Sequence, residues 1–439
     1  MGQAVRTSVL MISIFFCTIV SYIFCEPLVI EKPQAREPLH MALVYEDAGM
    51  QQTALEIKKL LTSTGLFEIK LSQGSVPASK QEITSFMHKG FSALLFLQQS
   101  AQDHIAFRLY DATDATMLLG KNTGASFHGP LVVSEVESMR PKSADITARL
   151  VADAVYSHLF NHESYFLTKI AYIKKSPTLR NKKRTELCIL DPVDGVSQTL
   201  VKDNRILVAP QWCRMVPGAH EKIWLSVSEF TPSNVRLLGI DLHGHSWPII
   251  DLGGTCVGTA QQDDTTFVYV RSGVLWLYEF DKKTKRGRHT KLTDSRNTCG
   301  CPSLLSSGDI IYSCNSKIYR FDRHEKKQYQ LPITGSCISP DVHQPTNRII
   351  FSRPVKGVLQ LHSCDAQGNR ITQLTFGLGN KIDACWSACG NYIVYTRLEG
   401  SREQIALYNC MTQTETILTS EHQQCGYPSW SGSSLQLYS

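Results

Sequence analysis

Short runs in which apolar and polar side chains alternate recur along the C-terminal two thirds of the chain. They are KIAYIK (169 to 174), KIWLSV (222 to 227), TTFVYV (265 to 270), DIIYSC (309 to 314), RIIFSR (348 to 353) and NYIVYT (391 to 396). Alternation of this kind puts the apolar side chains on one face of an extended strand. Their second apolar positions, Ile170, Trp224, Phe267, Ile310, Ile349 and Ile393, are spaced by 54, 43, 43, 39 and 44 residues. A second alternating run follows each, as in RLLGID, SKIYRFD and QIALYNC, and then a third short one such as TKLTD, YQLP or TILT. The segments PQW, PSLLSSGD, SCISPD, ACWSACGN and PSWSGS precede successive copies or end the chain, and each reads as an innermost strand with a tight turn.

A period near 43 is the length of a four-stranded propeller blade, and the 3.6-residue periodicity of helical repeats is absent. The predicted architecture for residues 166–439 is therefore a six-bladed β-propeller. In DACWSACGNYIVYTR the pattern puts Trp386 between blades and Gly390 in the turn. Leu435 to Tyr438 are expected to complete the first blade and close the ring, removing exposed sheet edges. An open sandwich is the alternative, and it gives no reason for a regular period.

Residues 39–165 follow a different pattern. LHMALVY and GLFEIKL read as strands on either side of a helix whose face carries Met50, Ala54, Ile57 and Leu61, with Gly65 to end it. Ile83, Phe86 and Met87 mark a second helix. FSALLFL and HIAFRLYDA form an antiparallel pair, and Ala148, Val151, Val155 and Leu159 stripe a third helix. The segment is predicted to be an α/β domain in front of the propeller, so the fold class is α+β/β. Residues 26–38, with three prolines and five charges, read as an extended tail.

At the start, Arg6 precedes the apolar run SVLMISIFFCTIVSYIFC, which ends at Glu26 and Pro27. This pattern predicts an export signal over residues 1–25, with an uncleaved membrane anchor as the other reading. Export changes the meaning of the cysteines, since twelve of the 14 lie after Cys25, an even number suited to disulfides in an oxidising compartment. Cys213, Cys256, Cys299 with Cys301, Cys337, Cys385 and Cys425 fall near the starts of successive repeats. Cys299, Cys301, Cys385 and Cys389 are the candidate disulfide residues, with pairing open; small buried thiols are the competing reading.

Charge and motifs narrow the chemistry. A net charge of +6 over 439 residues lacks the dense basic face that nucleic acid requires. LLGKNTGAS lacks the first glycine of a phosphate loop, and no GxSxG elbow occurs. His243 and His245 in DLHGHSW, and Asp263 with Asp264, read as turns rather than metal ligands. The basic runs at 174–184 and 282–291 read as solvated hairpin loops, with steering of an acidic partner as the alternative. No catalytic, metal or cofactor residue is assigned.

The motifs GLFEIK after ALEIKKLLTSTG, FRLYDATDATMLLG, and the run from ADITARLVADAVYSHLF to ESYFLTKIAYI resemble the TolB family, propeller proteins of the Tol-Pal envelope system. WSACGNYIVYT, PSWSG and LYNCMTQTETILT extend the resemblance over nearly the whole chain after the signal. It implies a non-enzymatic periplasmic scaffold that binds a peptidoglycan-associated lipoprotein at the propeller and an inner-membrane Tol energy-transducing protein at the N-terminal tail and domain. The implied role is outer-membrane integrity and constriction during division. By that resemblance Glu26, Pro27, Leu28, Val29 and Ile30 are the candidate partner-binding residues. The family's WSPDG turn departs here to Ala388 and Cys389, and cysteines are more numerous than in the family. A propeller hydrolase or lactonase with a channel metal, and a redox-responsive envelope sensor, are the alternative functions.

Overall fold

Alternating burial along the first strand sets up the N-terminal layers. In β1 (Leu39–Tyr45), Met41, Leu43 and Tyr45 face one side and Ala42 and Val44 the other, and all five are buried. A strand apolar on both faces suits the middle of a partly parallel sheet covered on both sides. β1 pairs in parallel with β2 (Phe67–Gln73) and β3 (Ala93–Ser100), and β3 pairs antiparallel with β4 (His104–Asp111), giving the order β2-β1-β3-β4. One face is covered by α1 (Gln51–Ser63) and α3 (Ala144–Phe160), which contribute Ala54, Ile57, Leu61, Ala148, Val151 and Val155 to a shared core. The other face is covered by α2 (Lys80–His88) through Ile83 and Phe86. Gly65, at φ +74°, stands just past α1, where a Cβ would lie 2.4 Å from the Thr412 side chain, so both its backbone conformation and its close contact favour glycine.

The structure is a computed structural model, and it describes residues 37–75, 80–100, 104–111, 144–160, 164–179, 182–213, 225–250, 252–263, 265–284, 286–294 and 298–432. The export signal, the candidate tail residues Glu26, Pro27, Leu28, Val29 and Ile30, Trp224, Asp264 and the expected closing residues 435–438 lie outside these. Among the described residues no helix is long and apolar enough to cross a membrane.

The repeats fold as antiparallel sheets. Four have four strands each, with inner strands Ile206–Trp212, Cys256–Gln261, Cys299–Leu304 and Ile338–His343. An eight-stranded sheet joins Asn380–Trp386 and the three strands after it to Gln424–Trp430 and Ile170–Leu179 and onward. Its two halves meet through one parallel register pair, Glu403 with Gln424. Apolar clusters fill the spaces between neighbouring sheets, for example Val268, Leu275, Leu304 and Tyr312 at one junction and Ile311, Ile318, Ile349 and Phe351 at the next. Sheets packed face to face around a shared channel make a β-propeller. The strand paired with Ile170–Leu179 is Gln424–Trp430, from Cys425–Lys174 to Trp430–Ile170. This pairing joins the last described strand to the first repeat strand.

The turn in DACWSACGNYIVYTR is held by Gly390 N–H donating to Ser387 O at 3.0 Å and Ser387 N–H donating to Tyr392 O at 2.9 Å. Gly390 has φ +69°, and a Cβ there would lie 2.6 Å from His343 Cε1. The His343 ring has little room to retreat, because its nitrogens bond Thr346 Oγ1 at 2.8 Å and Ala388 O at 2.9 Å. Gly390→Ala is therefore expected to cost about 2–3 kcal/mol, from left-handed strain plus a lost hydrogen bond. The midpoint of urea unfolding measures it, and an unchanged midpoint would contradict the geometry.

Candidate functional site

The inner strands share one local device. Each carries a register shift at a residue of positive φ: Ala209, Gly258, Cys301, Ser339, Asp383 and Tyr427. Proline follows four of them, at 210, 302, 340 and 428, where a bulge leaves the missing N–H without a ladder partner. The bulges turn these side chains into a central cavity of about 750 Å³, lined by all of these segments.

The residue after each proline, or its equivalent, ties its strand to the next. Ser303 Oγ accepts from Val342 N–H at 3.0 Å, Asp341 Oδ2 from Trp386 N–H at 2.9 Å, Cys385 Sγ from Trp430 N–H at 3.3 Å, and Ser429 Oγ from Trp212 N–H at 3.4 Å. Cys385 is thus the thiol form of a repeated acceptor. A thiol is the weakest acceptor of this set, but at this position it also fills space between strands. The sequence carries this signal as a small polar residue at a fixed offset after proline, which reads there only as turn chemistry.

The channel wall holds two perturbed carboxyls. Burial pushes the Asp341 carboxyl up, against the bonds it accepts from Trp386 N–H and Ser303 Oγ. Burial likewise raises Asp383, to about 6, although Ser339 Oγ donates to it at 3.2 Å. Cys301 faces the same lumen, and burial followed by the nearby Asp383 charge pushes its thiol to about 11. A carboxyl with a raised folded value contributes its full stability below about pH 4 and loses it as pH rises through 6. Asp383→Asn should therefore flatten stability between pH 5 and 7.5. It should gain about 1 kcal/mol on the parent chain at the upper end, a small value because the lumen admits water. Parallel urea midpoints across that range test this, and equal slopes would contradict it.

The sequence candidates separate in space. Cys299 is buried beside Cys314, with the Sγ atoms 3.4 Å apart. The Cys301 thiol lies 3.9 Å from Ser339 Oγ, and Cys389 Sγ is 3.2 Å from Ser387 Oγ. Every described cysteine is a free thiol in this structure. His245 Nδ1 pairs with Asp241 Oδ2 at 2.9 Å in its hairpin, and Asp263 accepts from Thr265 N–H at 2.8 Å, a turn-capping role. Among the described residues, no group of three or more His, Cys, Asp or Glu is placed to hold a metal ion.

A second feature lies in the loop before Asn380–Trp386. Phe376 and Leu378 are 59% and 72% exposed, in a loop whose carbonyls at Phe376, Leu378 and Gly379 accept from Lys381 Nζ at 3.1, 2.8 and 3.0 Å. The buried ammonium holds two large apolar side chains out in water, an arrangement suited to contact with another molecule.

The whole architecture has a solved counterpart. The crystal structure of TolB from Acinetobacter baumannii superposes with a TM-score of 0.67, covering 91% of this chain and 98% of that one at 19% identity. The Tol-Pal system protein TolB of Aromatoleum aromaticum is 26% identical over 185 residues, 40% of this chain and 39% of that protein. The same protein of Gluconobacter oxydans is 27% identical over 189 residues, 42% of this chain and 36% of its own length. The chain is similar to TolB proteins in sequence over about two fifths of its length and in fold over most of it. No family model matches it, and the alignments span well under half the length of these curated relatives.

Within this propeller protein, the polar network at the junction with the N-terminal sheet was missed by sequence reasoning. Arg149 of α3, 2% exposed, donates to Asp191 Oδ2 at 2.7 Å, to Asp194 Oδ2 at 3.0 Å and to Asp145 Oδ2 at 3.1 Å. Lys169 Nζ adds a 2.6 Å contact to Asp191. Nearby, Asn391 Nδ2 donates to the Tyr156 hydroxyl at 2.7 Å and Asn409 Nδ2 to Thr64 O at 3.3 Å. Charges and amides far apart in sequence thus join α1 and α3 to the propeller.

Proposed function

We propose that the chain is a periplasmic protein-binding scaffold of the Tol-Pal envelope system that performs no reaction of its own. The likeness to curated Tol-Pal proteins carries the reading. It is supported by a channel wall whose polar side chains are engaged in tying strands together, and by a loop, bonded through its carbonyls to Lys381, that exposes Phe376 and Leu378. On this reading residues 1–25 direct export, residues 26–38 form a tail, 39–165 an α/β domain and 166–439 a propeller of six blades. The six equivalent bulges, and the single register pair dividing the eight-stranded sheet, favour that count.

The partners of the reading are a peptidoglycan-associated lipoprotein at the propeller and an inner-membrane Tol energy-transducing protein at the tail, through Glu26, Pro27, Leu28, Val29 and Ile30. The outcome in the cell is outer-membrane integrity and invagination during division. Crosslinking in intact envelopes followed by peptide identification tests compartment, partner and face together. Crosslinks to the lipoprotein are expected, reduced when Phe376 and Leu378 are both replaced by serine. A folded, exported chain that yields no such crosslink overturns the proposal.

A further inference from the structure

We propose that Cys299 and Cys314 form an intrachain disulfide, a covalent site built across two neighbouring strands. The residues are register partners in the antiparallel strands Cys299–Leu304 and Ile310–Cys314. Both are buried, and their sulfurs are 3.4 Å apart. The backbone pattern says which kind of pair this is. Asn315 N–H donates to Thr298 O at 3.4 Å, while Cys299 N–H turns away and donates to Gly273 O at 2.8 Å. Thr298 and Asn315 therefore stand at the hydrogen-bonded position, and Cys299 and Cys314 at the adjoining non-hydrogen-bonded one. Cα atoms at such positions are about 4.5 Å apart. That lies within the roughly 4.4–6.8 Å that a disulfide spans. Side-chain rotation alone closes the remaining gap, with no change of register.

The other sequence candidates lack this geometry. Cys301 lies against Ser339, Cys385 holds the Trp430 N–H, and Cys389 lies against Ser387. The proposal rests on the export reading, because an oxidising compartment supplies the disulfide donor, an oxidised dithiol protein or oxidised glutathione. The thiolate of one cysteine attacks a donor sulfur and expels a donor thiolate. The second thiolate then attacks the mixed disulfide and expels the other donor thiolate. One sulfur–sulfur bond is broken and one formed, and the two protons and two electrons leave with the reduced donor. In the folded chain, burial and the neighbouring Cys299 push the Cys314 thiol to about 12, so closure belongs to folding, while both sulfurs still meet water.

The full chain, refolded from denaturant with reduced and oxidised glutathione, is alkylated and cleaved after Lys and Arg and before Asp309. The second cleavage is needed because residues 297–317 form one fragment holding Cys299, Cys301 and Cys314. The expected product is 297–308 joined to 309–317, two hydrogens lighter than the separate thiols, retained in Cys301→Ser and lost in Cys299→Ser. Full alkylation of both cysteines, or a link that survives Cys299→Ser and disappears in Cys301→Ser, overturns the pairing. Protein taken from cells under acid quench separates the two readings. A link formed in refolding but absent from cell-derived protein supports the pairing and counts against export.

Discussion

Replacing Arg149 with alanine is expected to lower the unfolding free energy of the full chain by about 3 kcal/mol, the lower end of what removing one partner of a buried ion pair costs. The lower end applies because two of its carboxylates, Asp194 and Asp145, are 40% and 55% exposed and water already screens them. The dominant loss is at Asp191, whose side chain is 8% exposed and keeps Lys169 as a charged partner in the variant. Arg149→Lys should recover less than half of the loss, since one ammonium cannot reach Asp191, Asp194 and Asp145 as a planar guanidinium does. Urea unfolding followed by far-ultraviolet circular dichroism reads the effect. A change below about 1 kcal/mol would show that the network only decorates the junction.

The same network has a pH signature. Burial alone would raise the Asp191 carboxyl, but Lys169, the Val193 N–H and Arg149 together hold it below the usual carboxylate range. A depressed carboxylate contributes stability above its unfolded value near 4 and loses it as pH falls through the folded value. The advantage of the parent chain over Arg149→Ala should therefore be steady from pH 7 to 5 and shrink below about 4.

Much of this fold was legible because strand alternation is local. RIIFSR falls within a strand, and KIAYIK, TTFVYV, DIIYSC and NYIVYT do so from their second residue onward, while Gly390 sits in the expected turn. PSWSGS reads as an innermost strand, and its first three residues end Gln424–Trp430; the start of that strand carries Gly426, Tyr427 and Pro428 at its bulge, which breaks the alternation and hides it behind turn chemistry. The inter-strand acceptors were hidden for a different reason: Asp341 and Trp386 stand 45 residues apart, and nothing local reveals that one bonds the other. Nothing local marks Arg149 as a junction residue, because its deepest partner is 42 residues away. The cysteines showed both limits, since repeat phase placed several at inner strands but could not indicate that Cys299 faces Cys314.

The closing strand carries the other large expected effect. Trp430 is 6% exposed, donates from Nε1 to Thr168 Oγ1 at 2.8 Å, and lies near the Tyr392 ring, with centroids 6.4 Å apart. Just beyond it, Ser431 N–H donates to Lys169 O at 2.9 Å and Lys169 N–H donates back to Ser431 Oγ at 2.8 Å. Trp430→Ala leaves a cavity and removes one donor from the Thr168 hydroxyl, which still donates to Tyr165 O at 2.7 Å, at a cost of about 3–5 kcal/mol, but the backbone pairs with Ile170–Leu179 survive. A chain ending at Gln423 loses those pairs as well and bares an apolar strand edge, the arrangement that templates pairing with other chains. The expected outcomes differ in kind: the substitution lowers the urea midpoint of a protein that still elutes as a single species, whereas the truncation aggregates. A truncated chain that stayed monomeric with the parent's midpoint would mean that another segment pairs with Ile170–Leu179. The comparison separates the contribution of one side chain from that of the pairing itself, in which a contact across some 260 residues has to repay the entropy of closing that loop.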